Sequence, residues 1–341
     1  MRRLVTRGGR ALDFTALGFG AAPLGNMHAA MTDEAAHATL RRALALGIGY
    51  FDVAPLYGLG LAETRLGAVI GPASPVLVST KVGRLLEPRA PGERAEGIYV
   101  ATPPLKVVFD YSYDGVMRSF EASLARLGRD SVDILFVHDV DAPTHGSRAA
   151  SQARIGELID RGGWRALDEL RAGGVVAAIG AGVNECEPCE RLLALADPDL
   201  FLVAGRYTLL DQSALASLLP ACEAAGVGVV IGGPFNSGIL ATGPGPSATY
   251  DYAPASAAIL ARAGAIEAVC ARHGVALATA ALRFAASGPA VVSVLAGART
   301  PAEVERNAAS LGAAIPGDLW AELKSAGLID QRAPVPGSGQ C

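Results

Sequence analysis

Eight short apolar runs recur along the chain. Between them lie longer stretches in which apolar residues return every three or four positions. The runs cover 16–19, 50–52, 76–81, 134–137, 176–182, 201–206, 227–231 and 291–295. They are mostly β-branched or leucine-rich with little polar alternation, as in strands covered on both faces. The amphipathic stretches cover 34–46, 63–70, 113–127, 164–172, 187–196 and 213–225. A pair, 257–272 and 276–286, precedes the last run, and 302–311 follows it. Thr32 and Asp33 open the first and Gly47 stops it, while Gly128, Gly173 and Gly226 stop others, which is helix-capping chemistry.

Eight β/α units predict one closed (β/α)8 TIM barrel over 1–330. Leu4-Val5 and Ala11-Leu12-Asp13 flank Gly8-Gly9 and predict a short N-terminal β-hairpin. An open dinucleotide-binding sheet needs a glycine fingerprint after its first strand, and Gly18-Phe19-Gly20-Ala21-Ala22-Pro23 does not supply it. Three long connections, 83–112, 138–162 and 232–254, follow strands and fall on the C-terminal face, as lids or binding loops do. The Pro/Gly/Ser-rich segment 331–341 reads as a flexible tail.

Strand ends on that face carry the candidate chemistry. Asp52 closes the second run, with Tyr57 five residues on. Lys81 closes the third, and His138 follows the fourth. A phenol of pKa about 10 is a poor base near neutrality. A nearby ammonium favours its phenolate, and a carboxylate can hold that ammonium. Lys81 and Asp52 can fill those roles, while His138 can hydrogen-bond a substrate oxygen or relay a proton. The set fits carbonyl reduction or its reverse. A Schiff base on Lys81 is a rival reading. Hydrolysis is not, because no Ser or Cys sits in a nucleophile motif. Two loops suit an anionic ligand. Gly297-Ala298-Arg299-Thr300-Pro301 leads into a helix with Thr300 as N-cap, and Gly232-Gly233-Pro234-Phe235-Asn236-Ser237-Gly238 follows strand seven. Thr300-Pro301-Ala302-Glu303 also reads as a capping box, which would make Glu303 structural.

Composition narrows the partners. The 341 residues are 51% hydrophobic, enough for a large core. A net charge of −4 and no Lys/Arg run exclude a nucleic-acid surface. No apolar span approaches the roughly 20 residues of a membrane helix, and the basic N-terminus lacks the apolar stretch of a secretory signal. Five cysteines, 186, 189, 222, 270 and 341, suit free thiols in a reducing cytoplasm. Cys186-Glu187-Pro188-Cys189 has no second pair, so no metal site is expected. Oligomeric state is not legible.

Asp52-x4-Tyr57, Ser79-Thr80-Lys81 and Phe136-Val137-His138 together resemble the catalytic tetrad of the aldo-keto reductase superfamily. The resemblance spans nearly the whole chain, and 17–26, 109–115, 137–141, 180–185 and 204–210 tilt it toward the aldose dehydrogenase branch. That branch includes D-threo-aldose 1-dehydrogenase, L-fucose and L-galactose dehydrogenases and the similar pyridoxal 4-dehydrogenase. The resemblance implies oxidation of a cyclic hemiacetal to a lactone, with Tyr57 as base and hydride going to NAD(P)+. It also implies Gly20, Ala21, Asn184, Gly233, Pro234, Phe235, Asn236, Ser237, Gly238, Gly297, Ala298, Arg299, Glu303 and Asn307 at the cofactor. Met27 and Arg206, with Tyr57 and His138, would shape the substrate pocket. Two departures stand out: Gly232 replaces the family's stacking aromatic, and Ala204 or Gly205 replaces its strand-six Gln. Arg299 could pair with a 2′-phosphate and Glu303 would repel one, which leans toward NAD. The alternatives are an NADPH-dependent aldehyde or ketone reductase, a pyridoxal 4-dehydrogenase and, outside enzymes, a cofactor-binding regulatory subunit.

Overall fold

The computed structural model describes residues 1–72, 74–90, 92–93 and 97–337. Eight parallel strands close into a barrel in chain order. They are β1 (Leu17–Gly20), β2 (Tyr50–Asp52), β3 (Leu77–Val82), β4 (Ile134–His138), β5 (Ala178–Val183), β6 (Leu200–Ala204), β7 (Gly228–Gly232) and β8 (Val291–Gly297). β8 pairs with β1, with Gly297 opposite Gly20. Helices pack outside, among them Asp33–Ala45, Tyr113–Leu127 and Pro301–Gly312.

Side-chain parity splits the molecule into two cores. Phe51, Val78, Leu135, Val137, Phe201 and Val203 face the helices. Tyr50, Ile134, Phe136, Ala178, Leu200 and Leu202 fill the barrel interior. In a strand, residues two apart share a face. Asp52 therefore follows Tyr50 inward, and His138 follows Phe136. Ser79 and Lys81 follow Leu77, which packs against the interior cluster. The register puts Asp52 opposite Ser79, Lys81 opposite Phe136 and His138 opposite Gly182.

The predicted hairpin, Arg2–Val5 with Ala11–Phe14, closes the N-terminal end of the barrel. Its Leu4, Leu12 and Phe14 join the interior cluster, and Phe14 meets Tyr50 edge-on at 5.1 Å. This end is plugged, so access to the interior is from the C-terminal mouth.

The long connections hold more structure than their sequences suggest. Segment 83–112 contains a hairpin, Arg84–Pro88 with Leu105–Phe109. Segment 138–162 contains the helix Arg148–Asp160, capped by Ser147. It buries only Ser151, Ile155 and Leu158, so it carries almost no apolar period to detect. Segment 232–254 holds one helical turn, Ile239–Thr242, and a two-residue pairing. A further helix, Gly317–Ser325, buries Trp320. Tail residues 331–337 run against the barrel: Ala333 is buried, and the Pro334 carbonyl accepts from the hydroxyls of Ser287 (2.7 Å) and Tyr207 (3.4 Å). Residues 338–341, with Cys341, lie outside the described residues. Among the described residues no single helix is long and apolar enough to cross a membrane.

Phe14→Ala should remove about 3–5 kcal/mol from unfolding free energy in denaturant titration, the cost of a buried aromatic cavity. Val5→Ala, at a side chain that is 63% exposed, should stay within about 0.5 kcal/mol.

Candidate active site

Lys81 is 1% exposed, at the mouth-side end of the barrel interior. Its ammonium donates to Asp52 Oδ1 (2.8 Å), Asp52 Oδ2 (2.7 Å) and the Val53 carbonyl (2.9 Å). Three donors thus meet three acceptors. Ser79 Oγ donates to Asp52 Oδ1 at 2.7 Å and lies 3.0 Å from the Tyr50 hydroxyl. Gly182 leaves room for the lysine, since a Cβ there would sit 3.3 Å from Lys81 Cε. Burial raises the Asp52 carboxyl, and Lys81 opposes that rise.

Tyr57 lies on the turn after β2. Gly58 takes φ +68°, and a Cβ on it or on Gly25 would enter the other's backbone. This close approach fixes the turn. The Tyr57 ring stands 4.9 Å from Lys81 Nζ and 5.9 Å from the His138 ring, edge-on at 87°. The structure changes the expected electrostatics. Burial, then Asp52, pushes the Tyr57 phenol well above its usual range. The ammonium expected to favour the phenolate is already answered by the carboxylate. His138 is pushed well below the usual imidazole range by burial, then by Arg84 and Lys81, so it is neutral.

These residues form the floor of a cavity of about 800 Å³. Of the expected substrate residues, Met27, Tyr57, His138 and Arg206 all line it. Arg206 is already engaged. It donates to the Asn184 carbonyl (2.6 Å), Asp211 (3.0 Å) and Asp251 (3.0 Å). Tyr99, Phe109 and Tyr252 add aromatic walls. Asp139 and Arg84, not anticipated from the sequence, also line the cavity beside His138. In the sequence Asp139 is marked only by its place next to His138 within the segment 137–141.

The expected cofactor residues divide into groups. Asn184 lines the cavity. Gly20 and Gly297 pair on adjacent strands at the rim, and Ala21 and Ala298 are buried beside them. Loop 233–238 follows β7, and its amides at Asn236 and Gly238 close turns onto Gly233 and Phe235. Pro234 lies within this loop, and Ser237 Oγ accepts from the Tyr252 amide. Asn236 is 3% exposed, and its Oδ1 is buried without a partner, so a polar ligand group fits here. Gly232 packs closely, since a Cβ would lie 3.1 Å from Leu202. At the far end Thr300 caps its helix and accepts from the Glu303 amide, while the Glu303 carboxylate accepts from the Arg299 amide at 2.7 Å. The Arg299 guanidinium donates to the carbonyls of Met27 (2.9 Å), Ala29 (2.8 Å) and Ala30 (3.4 Å). Asn307 reaches the Gly297 carbonyl at 3.5 Å. Among the described residues no His/Cys/Asp/Glu group could hold a metal. Cys186, Cys189, Cys222 and Cys270 are free.

Acid–base groups around a pocket at the C-terminal mouth of a parallel barrel define a barrel enzyme. A model of the Aldo/keto reductase family matches residues 16–327, and the chain belongs to that family. It is an oxidoreductase of a family that uses NAD(P)H. It is similar to pyridoxal 4-dehydrogenase of Microbacterium luteolum, at 41% identity over 336 residues, covering 94% of this chain and 96% of the relative. It is also similar to D-threo-aldose 1-dehydrogenase of a Pseudomonas species, at 39% over 326 residues, covering 93% and 95%. Among solved structures it resembles the holo form of an aldo-keto reductase from Bacillus halodurans, with TM-score 0.73, 23% identity and 98% of each chain covered. An aldo/keto reductase from Klebsiella pneumoniae in complex with NADP and acetate gives TM-score 0.66, 20% identity and 99% coverage of each. Both structural likenesses bear on the fold.

Lys81→Met would leave the Asp52 carboxylate buried without its cation. Unfolding free energy at pH 7 should fall by roughly 3–5 kcal/mol. Without Lys81 the folded-state pKa of Asp52 rises further above its unfolded value. The deficit should therefore shrink as pH falls toward 4 and grow as pH rises, measured by denaturant titration across pH.

Proposed function

We propose that this protein oxidises the C1 hemiacetal of an aldose, of the L-fucose, L-galactose or D-threo-aldose type, to a lactone. The observation that carries this reading is the convergence of Tyr57, Lys81 and His138 on the floor of one cavity. The similarity to two dehydrogenases over more than nine-tenths of the chain supports the direction. When bound, a nicotinamide would supply the hydride acceptor, and the loops at 233–238 and 297–303 with Asn184 would hold it. The chain's own residues handle the proton. Tyr57 takes it from the anomeric hydroxyl as the C1–O bond becomes a carbonyl. Lys81, fixed by Asp52, holds positive charge beside the ring, and His138 orients the sugar oxygen.

NAD+ is the favoured acceptor. Arg299 is committed to three carbonyls, and Glu303 places negative charge where a 2′-phosphate would approach. A second reading, pyridoxal in its hemiacetal form, is favoured by the aromatic walls Tyr57, Tyr99, Phe109 and Tyr252. The free cysteines suit a reducing cytoplasm.

Incubation with NAD+ or NADP+ and a panel of aldoses plus pyridoxal tests this by reduced-nicotinamide absorbance. Aldose-dependent NAD+ reduction supports the reading. Silence with every aldose, alongside NADPH consumption by simple aldehydes, contradicts it. Tyr57→Phe should lower kcat by about 10²–10⁴-fold. Because the Tyr57 phenol is raised, its phenolate fraction below that pKa grows about tenfold per pH unit. Oxidation kcat/KM should climb from about pH 6 through about pH 9 without a plateau, while carbonyl reduction stays flat over that range. An oxidation plateau near neutrality would remove Tyr57 as the base.

A further inference from the structure

Asn26 and His28 take φ +65° and +60°, left-handed conformations uncommon outside glycine, on either side of Met27. Such a backbone persists only where its surroundings impose it. Two guanidinium groups do so here. Arg65 is 4% exposed and paired with Asp33 at 2.8 Å. It donates to the Leu24 carbonyl (2.5 Å), Asn26 Oδ1 (2.9 Å) and the Met31 carbonyl (2.8 Å), which pins the two ends of the segment. The middle is left to Arg299, whose guanidinium donates to the carbonyls of Met27, Ala29 and Ala30.

The hold reaches beyond Met27. An antiparallel bridge joins Met27 to Tyr99. In it the His28 amide donates to the Ile98 carbonyl (2.8 Å) and the Val100 amide to the Asn26 carbonyl (3.1 Å). The bridge belongs to no sheet, and a short isolated pairing is marginal in water. Its place therefore depends on what fixes residues 26–30. Met27 and Tyr99 both line the cavity, and the Tyr99 ring lies 6.3 Å from the ring of Tyr57.

We propose that Arg299 is a positioning residue for the substrate. From the loop after β8 it holds Met27 and, through the bridge, Tyr99 as the cavity wall beside Tyr57. Its planar fork meets carbonyls of three residues at once, which the point charge of an ammonium matches poorly. The substrate half of this rests on the aldose reading, but the hold on the wall is a property of the free protein.

Hydrogen–deuterium exchange of the free protein, read by mass spectrometry on peptides covering 26–31 and 97–101, reports the wall. Arg299→Met removes all three donations and should speed exchange there about tenfold, with peptides over 134–138 unchanged. Arg299→Lys, a milder lesion that keeps a donor without the fork, should shift exchange the same way by less. In aldose oxidation Arg299→Met should raise KM for the sugar about tenfold while kcat falls less than about threefold, since Tyr57, Lys81 and His138 stay in place. Native exchange in both variants would overturn the proposal, as would faster exchange with an unchanged KM. So would native exchange with lost NAD+ affinity in calorimetry, which would make Arg299 a cofactor ligand alone. The exchange readout needs no substrate, so it decides whether Arg299 holds the wall even if the aldose panel is silent.

Discussion

The buried pair of Lys81 and Asp52 is the constraint around which the mouth of this barrel is built. Neither side chain is more than 4% exposed, and removing two charges from water is expensive unless their remaining bonds are also met. Here they are met by the Val53 carbonyl and Ser79, with Tyr50 behind Ser79. Those partners sit on β2 and β3, or just beyond β2, so the pair depends on the register of two strands. Moving either strand by one residue would turn its charge to the helix layer. In exchange, the pair fixes a cation below Tyr57 without exposing it to solvent.

That arrangement has an electrostatic consequence for the chemistry. A lone lysine would stabilise a phenolate, but the carboxylate that holds the lysine partly cancels it. Tyr57 is therefore a neutral phenol at rest, able to donate to a carbonyl oxygen or, once ionised, to receive a hydroxyl proton. Burial, then Arg84 and Lys81, hold His138 well below the usual imidazole range. In the proposed reaction both groups would meet the substrate as neutral hydrogen-bonding partners. The polarity of those bonds then decides whether alcohol or carbonyl is held better.

The strand-end residues Asp52, Lys81 and His138 are legible because parallel strands advertise themselves as apolar runs, and a polar residue closing such a run has few structural uses. Parity then dictates that Asp52, Lys81 and His138 point inward together. What was hidden depends on distant or conformational partners. Asp139 gains its position from a left-handed backbone and from Arg84, which arrives on a hairpin inside a stretch that reads as loop. Arg299 looked available for a phosphate, yet its guanidinium is engaged by carbonyls of residues 27, 29 and 30, some 270 positions earlier. Glu303 takes part in the helix start, its carboxylate accepting from the Arg299 amide and its own amide donating to Thr300. The helix Arg148–Asp160 escaped notice because it buries too few apolar side chains to imprint a period.

The proposed oxidation requires that the bond broken at C1 deliver its hydrogen as hydride while the proton leaves from oxygen. Turnover of a C1-deuterated aldose with NAD+, followed by mass spectrometry of the cofactor and of the water, tests this directly. The deuterium should appear in the reduced nicotinamide in step with lactone, with a primary isotope effect under single-turnover conditions and none released to solvent. Deuterium washed into water, or lactone formed without label in the cofactor, would contradict the hydride-transfer assignment of the site.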